Sequence, residues 1–238
     1  MSRSIITSVA ILLSLSSCAQ KEIIIPNGFV QTEIPKYDSK EWHNANHSSN
    51  EFNVVYNNGK LEVTRLPEYG KFDSCKLELT DGLLIGSDRG EWGGELLFIG
   101  DKYKKIQRIV EGNIKYLFKF QDKIYIIDGL THMGYNHGDI YELIKKDTTF
   151  TYKKVLDFND APEAFTIYKN QLLIATYENF YLIKDFKKQL LFKDTFWGSL
   201  FPNSIAAIDD RNIFLGIRSG IVKLDLIDKK MFYYKWKE

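Results

Sequence analysis

His132 and His137 stand five residues apart in a glycine-rich stretch, Asp128-Gly129-Leu130-Thr131-His132-Met133-Gly134-Tyr135-Asn136-His137-Gly138. An imidazole titrates near neutrality, so either ring has the chemistry of a general base. Arg218, in Ile217-Arg218-Ser219-Gly220, offers the planar donor fork that grips a carboxylate or other anion. Glu163 supplies a carboxylate, and Trp92, Tyr135 and Trp197 supply aromatic surface for stacking on a ligand. Two functions are open to this set. One is ligand binding by Trp92, His132, Tyr135, His137, Glu163, Trp197 and Arg218. The other is a hydrolase or lyase with His132 or His137 as base and Arg218 on an anionic substrate. Each residue also has a purely structural use: histidines bonded to loop backbone, tryptophans packed between sheets, Arg218 ion-paired to Glu163. No Gly-x-Ser-x-Gly, phosphate-cradling loop, dinucleotide fingerprint or Cys–His pair accompanies them. The histidine spacing matches no standard metal-ligand pattern. No cofactor and no metal are expected.

The elements that must position these residues are strands. Apolar and polar residues alternate in Lys76-Leu77-Glu78-Leu79 and in Ile221-Val222-Lys223-Leu224-Asp225-Leu226, the pattern of a strand with one buried face. No sustained helical stripe accompanies them, so almost no helix is expected. The strands fall into groups starting near Lys76, Lys115, Ala164 and Ile205. That spacing suits a four-stranded propeller blade of about 40 to 50 residues. Tight turns at Thr80-Asp81-Gly82, Gln121-Asp122-Lys123, Lys169-Asn170-Gln171 and Asp209-Asp210-Arg211-Asn212 join the first two strands of each group. The class is therefore all-β, a propeller of four-stranded antiparallel blades, with a β-sandwich as the alternative. Four blades are clear. A fifth is expected from the hairpin around Asn57-Asn58-Gly59, which could instead pair into the last blade.

Ile213-Phe214-Leu215-Gly216-Ile217-Arg218-Ser219-Gly220-Ile221-Val222 resembles the core of bacterial regulator-type propeller repeats. Gly94-Glu95-Leu96, Gly129-Leu130-Thr131-His132, Ala161-Pro162-Glu163-Ala164 and Pro202-Asn203-Ser204-Ile205 are similar to islands in uncharacterised exported bacterial propellers. The resemblance covers residues 74 to 234 and implies a fold rather than a function. In a blade, the loop between strands two and three and the loop to the next blade open on one face. That geometry would gather the seven candidate residues around one mouth, the default place for a ligand.

The chain opens like an export signal. Arg3 precedes an apolar run from Ile5 to Leu15, too short to span a bilayer. Leu15-Ser16-Ser17-Cys18 resembles the lipobox of bacterial lipoproteins, which implies lipidation of Cys18 and cleavage before it. The following Ala19-Gln20-Lys21-Glu22 resembles the charged tag of surface lipoproteins in the Bacteroidota. The expected layout is a signal over 1–17, a lipidated tether and extension over 18–50, and a propeller over 51–238. The expected location is the cell envelope, on the outer membrane, facing the periplasm or the surface. Membrane contact would come through the lipid on Cys18.

The chain carries 32 basic and 31 acidic residues, and removing the signal takes away only Arg3 from that count. A mature chain with 31 of each is a poor partner for nucleic acid, which calls for a basic domain. With Cys18 lipidated, Cys75 is left without a disulfide partner, and a buried thiol is expected there. These readings converge on a lipid-anchored binding module for a protein, peptide or glycan, including the variant of a protective, immunity-type lipoprotein.

Overall fold

The alternating pattern produces strands almost throughout. The computed structural model describes residues 23–67, 73–101 and 105–237; Cys18 and the rest of the signal segment lie outside the described residues. Strand β1 (Phe29–Thr32) and helix α1 (Lys40–Asn46) come first, then a hairpin of β2 (Phe52–Asn57) and β3 (Lys60–Arg65). A first four-stranded sheet follows, of β4 (Asp73–Leu79), β5 (Gly82–Asp88), β6 (Glu95–Gly100) and β7 (Ile106–Glu111). The second holds β8 (Ile114–Phe120), β9 (Lys123–His132), β10 (Tyr135–Lys146) and β11 (Thr149–Phe158). The third holds β12 (Pro162–Tyr168), β13 (Gln171–Thr176), β14 (Phe180–Lys184) and β15 (Lys187–Phe192). The last is β16 (Ser204–Asp209), β17 (Asn212–Ile217), β18 (Gly220–Asp225) and β19 (Lys230–Trp236). Every sheet is an antiparallel meander in sequence order, and β1 adds to the outer edge of the last one.

Turn chemistry explains the meander. Gln121 and Asp122, Lys169 and Asn170, and Asn58 and Gly59 all have positive φ. Two left-handed central residues make the type I′ turn, whose twist matches that of paired strands. Within the last sheet β17 is buried along its whole length. Gly216 is needed there because a Cβ would come within 2.1 Å of the Phe52 carbonyl oxygen of β2.

The sheets pack in succession, each against its neighbours, as propeller blades do. One apolar cluster joins the first and second sheets through Leu84, Leu96, Ile126 and Phe150. Another joins the second and third through Ile127, Phe158, Leu172 and Ile174. A third joins the third and last through Ala175, Phe180, Leu215 and Val222. The β2–β3 hairpin closes on the last sheet through Phe52, Val54, Phe214 and Ile221. A two-sheet sandwich would have a single core; here the second, third and last sheets are each covered on both faces. The hairpin is thus a short fifth, blade-like unit.

Two local expectations change. Residues 128–138 do not form an irregular loop: β9 runs on to His132 and β10 starts at Tyr135, joined by Met133 and Gly134 with φ of 45° and 85°. Their composition disguised this, because Gly129 and Gly138 look like loop residues. They face each other across the ladder, and a Cβ on Gly138 would come within 2.2 Å of Pro162 Cδ. The second change concerns residues 23–50, which contribute a strand and a helix. The fifth strand of the last sheet is β1, not the β2–β3 hairpin. Helix α1 starts where Ser39 Oγ accepts from the Trp42 amide at 3.2 Å, and Trp42 Nε1 donates to the Phe196 carbonyl at 2.8 Å. Among the described residues, no helix is long and apolar enough to cross a membrane.

Candidate functional site

The first strand of each unit starts at the same end of the molecule. Glu51 and Asn53 of the hairpin, Ser74 and Cys75 of β4, Lys115 and Tyr116 of β8, Glu163 of β12 and Asn203 before β16 all line one cavity of about 860 Å³. Leu66 and Pro67 line it between the hairpin and the first sheet. Asp88, at the end of β5, and Arg218, after β17, reach it from second strands. This is the mouth.

Its charges are paired before any ligand arrives. Lys115 Nζ donates to Glu163 Oε2 at 2.7 Å and stands 3.8 Å from Asp88 Oδ2. Burial pushes the Glu163 carboxyl above the usual carboxylate range, and Lys115 opposes that rise. Tyr116 OH donates to the Glu163 carbonyl at 2.8 Å, so this strand start is held from both ends. Across the cavity Arg218 Nε and Nη2 donate to Glu51 Oε1 at 3.1 and 2.7 Å. Its Nη1 donates to the Asn46 carbonyl at 2.9 Å, and its guanidinium lies 4.6 Å from the Phe201 ring centre. In place of the alternative ion pair between Arg218 and Glu163 there are two separate pairs, Lys115–Glu163 and Arg218–Glu51. Glu51 bridges to Arg218 because the hairpin occupies the gap beside the last sheet.

Phe201 reaches the mouth on a loop with left-handed backbone at Ser199 and Phe201. Trp197 is the anchor of that loop. It is fully buried, with Nε1 donating to the Thr176 carbonyl at 3.0 Å, and does not present a stacking face to the cavity. Its placement follows from apolar burial: it joins the cluster of Phe180 and Phe196.

Of the seven candidates, only Glu163 and Arg218 line the mouth. Trp92, His132, Tyr135 and His137 project from its rim on the β9–β10 hairpin and the adjoining 3₁₀ turn at Gly90–Trp92, while Trp197 lies buried. His132 Nε2 lies 2.8 Å from Glu91 Oε2, which ties the hairpin to that turn. Trp92 and Tyr135 are exposed. His137 Nε2 lies 3.5 Å from Asp139 Oδ2 and 3.9 Å from Asp157 Oδ2. Those three side chains have the spacing of a metal cluster, but Lys154 Nζ already sits 2.9 Å from Asp139 and 3.4 Å from Asp157. An ammonium in that position does the neutralising, so the group is an ion-pair cluster.

Sequence reasoning missed Lys115, Glu51, Tyr116, Asn203 and Phe201. It looked for chemistry in glycine-rich loops, whereas the mouth is built from the first residues of inner strands. The available signal was a charged residue at the start of an apolar strand, as in Asn113-Ile114-Lys115-Tyr116. Cys75 is partly buried at the cavity wall, donates weakly to the Ile114 carbonyl at 3.6 Å, and has its thiol pushed up to about 11 by burial. A thiol so hard to ionise is a poor nucleophile at neutral pH. No family model and no curated protein matches the chain.

Proposed function

We propose that this chain is a lipid-anchored envelope protein whose propeller-like body binds a peptide or glycan segment of a partner in its mouth. The observation that carries the reading is the cavity of about 860 Å³ where all five units converge. Its polar groups are held in place by Lys115–Glu163 and Arg218–Glu51, so little ordering is left to do when a ligand enters. A segment carrying both donors and acceptors suits such a wall, with Phe201 as an apolar contact at the lip. The lipid anchor is supported by Leu15-Ser16-Ser17-Cys18, and the outer membrane is the location proposed for it. An immunity-type protein that captures and blocks a toxin is one form of the same activity.

A photoreactive phenylalanine analogue in place of Phe201 tests this in cells. We expect one discrete cross-linked adduct from that position, lost when Arg218→Ala and Glu163→Gln are combined with it. The same analogue at Ile167, which is exposed on β12 away from the cavity lining, should give none. Identical adducts from both positions, or no adduct at Phe201, would refute the mouth as the binding site.

A further inference from the structure

The β9–β10 hairpin overhangs its sheet. Its neighbours stop short: Ile114 of β8 pairs with Asp128, and Phe158 of β11 pairs with Gly138. Beyond that level three residue pairs, His137–Leu130, Asn136–Thr131 and Tyr135–His132, continue alone, an overhang of roughly 10 Å at the usual rise of a strand. Asp128 is level with the start of β8, beside Lys115 of the mouth, so the overhang projects past the mouth end. At its tip Met133 is 93% exposed and Tyr135 55% exposed, and Trp92 beside them is 77% exposed. The Glu91–His132 contact at 2.8 Å ties the turn that carries Trp92 to the hairpin that carries Met133 and Tyr135.

The described chain also begins at that end. Trp236 of β19 pairs with Phe29, its amide donates to the Ser219 carbonyl at 2.9 Å, and Ser219 directly follows Arg218 of the mouth. Lys237 donates to the Gly28 carbonyl at 2.8 Å. The chain therefore enters β1 from the mouth side; ahead of it Ile23 and Ile25 pack against the apolar cluster between the hairpin and the last sheet, and Ile24 is 83% exposed. From Ile23 back to Cys18 the chain reaches at most about 18 Å, at 3.3–3.6 Å per residue.

We propose that the apolar tip formed by Trp92, Met133 and Tyr135 docks into the headgroup region of the bilayer that carries the anchor, so that the mouth faces the membrane. This rests on the lipid anchor at Cys18 proposed above. The short reach from Cys18 brings the mouth end to the bilayer and leaves the overhanging tip facing it. Tryptophan and tyrosine settle at the membrane–water boundary because one part of each ring system is apolar and another is polar. The segment that the mouth receives would then be one displayed at the membrane surface.

The test uses the full lipidated protein in phosphatidylcholine vesicles, with brominated acyl chains as quencher. Flotation with the vesicles reports the anchor, and tryptophan quenching reports the docking. Trp42 and Trp197 are buried and Trp236 is partly buried against Phe29 and Phe52, which leaves Trp92 as the one highly exposed indole among the four. We expect quenching that Trp92→Phe largely removes, and that Met133→Glu combined with Tyr135→Glu reduces at least two-fold while all variants float. Floating protein with no quenching, or with quenching unchanged in Trp92→Phe, overturns the docking alone. Protein that does not float overturns the anchor and the docking with it.

Discussion

Asp128 shows how a single side chain can hold back stability in this fold. Burial, reinforced by the charges of Asp139 and Asp88, pushes its carboxyl up to about 6, although the Asn113 amide hydrogen-bonds to it. An acid whose folded pKa lies above its unfolded value binds a proton more readily when folded. The wild type should therefore lose stability as pH rises from about 4 to about 6, by up to about 2 kcal/mol from this group. Asp128→Asn removes the charge and keeps an acceptor. Its melting temperature should exceed that of the wild type at pH 8, with the gain shrinking towards zero near pH 4. Parallel melting curves across that range would show that the carboxylate is already well solvated.

At the scale of elements, the overhanging hairpin is held by one buried carboxylate. Asp160 accepts from Asn136 Nδ2 at 3.1 Å, from Asn179 Nδ2 at 2.6 Å, from the Glu178 amide at 3.1 Å and from Thr176 Oγ1. Asn136 Oδ1 in turn accepts from the Ala161 amide at 2.6 Å and from Thr131 Oγ1 at 2.9 Å. Asn136→Ala should free the hairpin without unfolding the sheets. Amide hydrogen exchange over residues 130–137 should accelerate at least ten-fold, while exchange in β12 and β13 stays slow. Uniform acceleration would mean that Asn136 supports the core instead. This hairpin also marks how far the sequence was legible. Alternation exposed strands such as Ile221–Leu226 because one face is buried. It failed at 128–138, where Gly129 and Gly138 are dictated by the close passage of Pro162 from the next sheet. A constraint set by a neighbour across the fold leaves no local signature.

At the scale of the whole molecule, the repeat spacing was readable because each sheet is built from contiguous chain. The mouth was not, because it is assembled from one or two residues of every unit; Arg218 and Glu163 were found, while their partners Glu51 and Lys115 were not. The proposed anchor carries its own prediction. Cys18→Ser should move the protein from the membrane to the soluble fraction and abolish lipoprotein-type processing, as fractionation and intact-mass analysis would report. A variant that stays membrane-bound with unchanged processing would remove the lipid from this account. The pairing of β1 with β19 has a further consequence for biogenesis. Phe29 is among the first described residues to be synthesised, and Trp236, its partner, is nearly the last. If the chain crosses a membrane amino end first, β1 must wait unpaired until the final strand has emerged. Completion of the last sheet then becomes a timing device: the body locks only after β19 has crossed, and a chain stalled before that point keeps an open, chaperone-accessible edge.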